Sequence, residues 1–266
     1  MSKTDQFKSR LLLKVRLRVE HIVVGVTAFF SVSYVLVLLL DVLNVGDWGE
    51  WFITSASYLI NHGRRAPAFL VLFADLGPVE WFQWFMLSIV IFVGSYQAST
   101  LKDYNAHASM FWLLLSIGCI FMLVEDAGNL RHRMGSFLNL FSPVLPEGTP
   151  LILVWEMIYF SILAALPVYA FIKYSKDLSV RVWWCVVVGF MFYGLAAGMS
   201  VSSGLGWYDI VGDWIMSGFS DQMLREDIYR QNLGFWFMDT LVEESIELIG
   251  ATGLASGALW QYNEIE

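Results

Sequence analysis

Four acids, Asp239, Glu243, Glu244 and Glu247, occupy nine consecutive positions of "DTLVEESIELIG", inside an apolar stretch from Leu233 to Trp260. Carboxylates this dense can ligate a metal ion, pass protons, or neutralise basic side chains. Asp239, Glu243 and Glu247 are spaced i, i+4, i+8, which predicts one stripe along an α-helix. Glu244, about 100° further round, is expected to face a different neighbour. If the helix starts near Gly234, a rise of ~1.5 Å per residue puts Glu243 roughly 14 Å and Glu247 roughly 20 Å into a hydrocarbon layer ~30 Å thick. An acid at that depth costs about 2.5–3.5 kcal/mol if it meets lipid. These acids are therefore expected to face protein, water, protons or a metal.

Other apolar segments bring acids to a related depth. Glu80 lies in "GPVEWFQWF", Glu125 and Asp126 in "LVEDAGNLRHR", and Glu156 in "LVWEMIYF". Asn129 and His132 follow Glu125 by four and seven residues and share its helical face. Arg131 and Arg133 stand near the same helix end. The pattern predicts a metal site made by Glu125, Asp126, His132, Glu243 and Glu247, with Glu80 and Glu156 completing the shell. Asp239 is expected to be an entry residue and Glu244 an acid that faces away; Asn129, Arg131 and Arg133 are supporting partners. Oxygen-rich ligation suits iron, manganese or calcium rather than a thiolate-bound metal. Di-iron helical bundles also gather inward-facing carboxylates, but they use two Glu-x-x-His pairs, which this chain lacks. Two alternatives stand beside the metal. One is a relay for protons or cations, weakened by the near absence of acids in the inner halves of the helices. The other is an acid–arginine network in a structural subunit of a larger membrane complex.

The elements that must position these residues are legible from composition. Of 266 residues, 57% are hydrophobic and 15% charged, against about 25% charged in soluble domains. Several apolar runs are longer than the ~18 residues that a transmembrane helix requires. The expected architecture is an all-α, polytopic membrane bundle with spans near 19–43, 77–98, 108–130, 150–173, 180–204 and 232–260. A basic segment, 1–18, precedes one membrane domain, 19–260, and a short tail, 261–266, follows it. On this topology ten of the 16 Lys and Arg fall on the side of the N-terminus, which predicts cytoplasmic N- and C-termini in the cell membrane. The connections 44–76 and 205–231 are expected to hold short interfacial helices, because both mix Trp and aliphatic residues with charge. Within 44–76, "APAFLVLFADLGP" predicts either a re-entrant piece or a kinked extension of the next span near Pro78. Two small-residue pairs, Gly194/Gly198 and Gly253/Gly257, predict tight helix packing.

Several functions lack their residues. No lysine lies mid-helix to form a retinal Schiff base, and no Gly-rich loop precedes a helix to bind a nucleotide. The basic N-terminus before a span predicts a membrane anchor rather than a nucleic-acid site. Cys119 and Cys185 form no CxxC pair and are expected to be packing residues. The lipid bilayer is the expected partner, with further copies of the chain or other membrane subunits left open.

Overall fold

The computed structural model describes residues 19–43, 45, 68–74, 76–128, 130, 151–218 and 233–265, and every regular element among them is helical. In chain order these are α1 (Val19–Val37), α2 (Ala68–Phe73), α3 (Pro78–Leu101), α4 (Ala106–Gly128), α5 (Leu151–Tyr174), α6 (Val180–Ser203), α7 (Trp207–Met216), α8 (Leu233–Trp236) and α9 (Glu244–Ile265). Two π-helical stretches interrupt them: Leu38–Val42 prolongs α1, and Phe237–Glu243 joins α8 to α9 into one rod. The basic segment 1–18, the stretch "EWFITSASYLINHGRR" and residues 219–232 lie outside the described residues.

Five helical segments among the described residues are long and apolar enough to cross a bilayer: Val19–Val42, Ala68–Leu101, Ala106–Gly128, Val154–Asp177 and Val180–Ser203. Their outer faces carry large apolar side chains, such as Phe92 at 76% and Ile172 at 70% exposure. A surface of that kind is matched by lipid, not water. The sixth expected span, 232–260, is not among the five. Its rod runs on to Ile265, so the expected tail begins inside the helix. The rod stands at the centre of the bundle, packed on α6, α3 and α1, with Leu248, Ala251, Leu254, Ala255 and Ala258 fully buried. An acid-bearing helix reaches mid-membrane only if its neighbours screen it from lipid.

Glycine sets the closest of these contacts. A Cβ on Gly253 would stand 2.9 Å from Gly189 N, and one on Gly250 would stand 2.8 Å from Tyr193 Cδ2. The Gly253/Gly257 pair thus packs on α6 around Gly189 and Val186. The Gly194/Gly198 pair does not behave as expected: nothing lies within 4 Å of where either Cβ would be. Its spacing is that of a packing motif, but the rod crosses α6 one to two turns earlier. Elsewhere Gly118 on α4 receives the ring of Pro167 from α5.

The ends of the bundle are tied by polar contacts. Ser179 caps α6 and its hydroxyl donates to Glu264 Oε1 at 2.8 Å, while the Arg181 guanidinium lies 5.2 Å over the Trp260 ring. Towards the other end, Asp41 accepts from Ala68 N at 2.7 Å and Phe69 N at 2.9 Å, supplying α2 with its N-terminal cap. Thus α2 is a separate short helix. The chain turns after it through Leu76, whose φ is 63°, and α3 restarts with Pro78 in its first turn. Proline there is preorganised for a helix start and blocks no intrahelical bond.

Replacing Gly189 with Leu is expected to destabilise the protein by about 1–3 kcal/mol, the usual result of overpacking. Gly194→Leu, on an open face, is expected to change little. Thermal unfolding of the two variants in one detergent checks the contrast.

Candidate functional site

The acids converge at the end of the bundle where α3 and the rod begin and α4 ends. Asp126 on α4 lies within electrostatic reach of Glu247, Glu80 and Glu125. Glu244 lies within reach of Glu247, Asp126, Glu80 and Glu243. The group therefore joins Glu80, Asp126, Glu244 and Glu247 from three helices, with Glu125 and Glu243 on its flanks.

Three neutral donors set the orientation of these carboxylates. Gln83, one turn after Glu80, points its amide nitrogen between two helices: Nε2 donates to Asp126 Oδ2 at 3.1 Å and to Glu247 Oε2 at 2.6 Å. Trp84 Nε1 donates to the same Asp126 oxygen at 2.8 Å. The Tyr208 hydroxyl, reaching in from α7, donates to Glu243 Oε2 at 2.6 Å. Glu80, 4% exposed, accepts from the backbone N–H of Leu76 at the start of α3. That N–H belongs to the left-handed turn before the helix, so Glu80 ties the turn to the site.

Two acceptor atoms in the group remain unsatisfied. Gln83 is 1% exposed, and its Oε1 meets no donor in bonding geometry, although the Tyr193 hydroxyl stands beside the side chain. Glu244 Oε2 is likewise buried without a hydrogen-bond partner. Native proteins leave few buried polar atoms unpaired, and such groups often mark a site for water or an ion. Among the described residues, however, no three His, Cys, Asp or Glu side chains are arranged to hold a metal ion.

The structure redraws the expected ligand set. Glu244, expected to face away, is inside the group: α9 begins at Glu244, so Glu244 and Glu247 stand i, i+3 on one α-helical face. The π stretch Phe237–Glu243, which holds Asp239 and Glu243, breaks the straight stripe expected of Asp239, Glu243 and Glu247. A π turn advances about 4.4 residues against 3.6 in an α-helix, so i, i+4 positions before and after it point differently. Glu243 bonds to α7 and Glu247 to α3. Glu156 is half-buried on α5, which packs chiefly on α4. Asn129, Arg131, His132 and Arg133 lie outside the described residues. Of the other histidines, His107 is exposed and pairs with Asp177 at 3.1 Å near the opposite end.

Below the group the bundle is mainly apolar. Leu87, Val90, Leu115, Cys119, Ala251 and Leu254, each at most 1% exposed, fill the next two turns of α3, α4 and the rod. Ser116 and Gln97 are buried there too and donate to Val90 O and Ala258 O. No family model matches the chain, and neither any curated protein nor any solved structure is significantly similar to it.

Gln83→Leu removes one donor from two carboxylates at once. A buried hydrogen bond to a charged group contributes about 1.5–3 kcal/mol, so this variant is expected to lose at least that much stability, and Gln83→Glu as much or more through repulsion. Asp126→Asn combined with Gln83→Leu is expected to cost less than the sum of the two single changes. A double-mutant cycle on unfolding free energies measures the coupling.

Proposed function

We propose that the chain is a multi-pass membrane protein with six spans, the α8–α9 rod being the sixth, and that its carboxylate group binds a metal ion in the outward half of the membrane. Lys and Arg predominate on the side of the N-terminus, which supports cytoplasmic termini and an outward-facing site. The observation that carries the metal reading is Gln83. A single amide aligns carboxylates from α4 and the rod, while its own carbonyl oxygen is buried and without a donor. Ligating carboxylates are commonly held in place by hydrogen bonds from side chains behind them, and Gln83, Trp84 and Tyr208 stand in that relation here. Glu244 supplies a second buried acceptor. The buried Tyr193 hydroxyl beside Gln83 is unbonded as well, and a carboxylate oxygen such as Glu244 Oε2 among other acids is met by a proton or a cation; we propose the cation.

The scarcity of acids in the other halves of the described helices weighs against a conducting path, since a relay needs ionisable or hydrated steps on both sides. A carboxylate group confined to one end suits binding or chemistry better than passage. Asp126, Glu244 and Glu247, with the Gln83 carbonyl, would have to close on an ion to ligate it, and an all-oxygen set of that kind suits manganese, iron or calcium. Bound there, such a metal would act as a Lewis acid and activate water.

Elemental analysis of protein purified from membranes without chelator tests this reading. A stoichiometric metal is expected, lost in Glu247→Gln and in Asp126→Asn, with helical content retained by circular dichroism. Absence of metal, together with no binding of added Mn²⁺, Fe²⁺ or Ca²⁺, overturns it. Proton uptake abolished by Glu247→Gln would then favour the relay.

A further inference from the structure

The acid group stands at the end of the bundle where α7 packs on the start of the rod, and α7 has two faces of different destination. Tyr208, Gly212 and Met216, spaced i, i+4, i+8, are buried against the start of the rod. Gly212 makes the contact possible: a Cβ there would collide with the backbone of Gly234, and a Cβ on Gly234 would collide with Asp213. Tyr208, fully buried, extends from this face to Glu243. The opposite face carries Ile210 and Trp214, 73% and 76% exposed, one turn apart. α7 packs mainly on α8 and the π stretch and only slightly on α6.

Its position follows from connectivity. The span α6 ends at Ser203 and α7 begins at Trp207, with Gly206 at φ 80° forming the turn between them. Such a turn is easy for glycine and costly for other residues. A helix that starts three residues after a span must lie at the membrane surface. Its exposed Ile and Trp then enter the boundary between headgroups and acyl chains, where Trp is favoured.

We infer that α7 is a membrane-seated lid over the carboxylate site, latched by the Tyr208–Glu243 hydrogen bond and held down by the insertion of Ile210 and Trp214 into lipid. The inference rests on the cation reading of the site. The lid controls the rate at which an ion enters and leaves, with little effect on its equilibrium affinity, because the latch closes over the site without ligating the ion.

The test uses the full chain in lipid nanodiscs, with terbium as the probe. Trp84, bonded to Asp126, is placed to sensitise terbium luminescence. Tyr208→Phe is expected to raise the association and dissociation rates together by about tenfold, equivalent to ~1.4 kcal/mol of latch strength, with Kd nearly constant. Ile210→Asn with Trp214→Gln is expected to do the same in nanodiscs. Unchanged rates in Tyr208→Phe, or a change in Kd without a change in association rate, overturn the latch; unchanged rates in the double variant overturn the lipid seating. If wild-type protein binds no terbium, the cation reading is what fails. The lid is then read from modification of Asp126 and Glu247 by a water-soluble carbodiimide, quantified by mass spectrometry. Faster modification in Tyr208→Phe supports the lid, and equal modification overturns it.

Discussion

A carboxylate surrounded by hydrocarbon must find a donor, a proton or a positive ion, and that requirement determines where the last helix can stand. The rod from Leu233 to Ile265 carries acids on more than one face, so no single edge of the bundle would shelter them. Only a central position does, with α3, α6 and α1 around it and α7 across its start. Once the rod is central, its contact with α6 has to be close. Gly189 and Gly253 provide the close approach, and the apolar residues from Leu248 to Ala258 complete the fit.

The same requirement explains the donors. Gln83 and Trp84 are adjacent on α3, yet both reach Asp126, and Gln83 also reaches Glu247. A lysine or arginine at position 83 would neutralise the pair outright. A glutamine aligns the two carboxylates and leaves any charge to be met by a proton or a cation.

Much of the helical pattern was legible in the residues, because long apolar runs with few charges have one reading in a bilayer. The convergence of Glu80, Asp126 and Glu247 followed from depth alone: alternate helices run in opposite directions, so acids near a start on α3 meet acids near an end on α4. Rotation about each helix was harder to read. A spacing of i, i+4, i+8 implies a stripe only in an unbroken α-helix, and nothing in "GFWFMDTLVEES" announces the π stretch that holds Asp239 and Glu243. The signal for Glu244 lay in its i, i+3 spacing to Glu247. Gln83 and Tyr208 were passed over because neutral polar residues cost less in a membrane than acids do. Their signal lay in position, Gln83 one turn from Glu80 in an otherwise apolar face.

The two π-helical stretches belong to one piece of construction. The first, Leu38–Val42, carries Asp41, which caps α2; α2 then packs on the second, where Phe69 meets Phe237 edge-on with ring centroids 5.4 Å apart. π-helical turns inside α-helices are strained and tend to persist where function uses them. Here the second one sets how the start of the rod, with Asp239 and Glu243, is turned relative to α9, which carries Glu244 and Glu247. Glu243 meets Tyr208 on α7 and Glu247 meets Gln83 on α3. The buttress formed by Asp41 and α2 packs on that stretch and so does more than fill space beside the rod: it supports the turn from which Glu243 reaches α7.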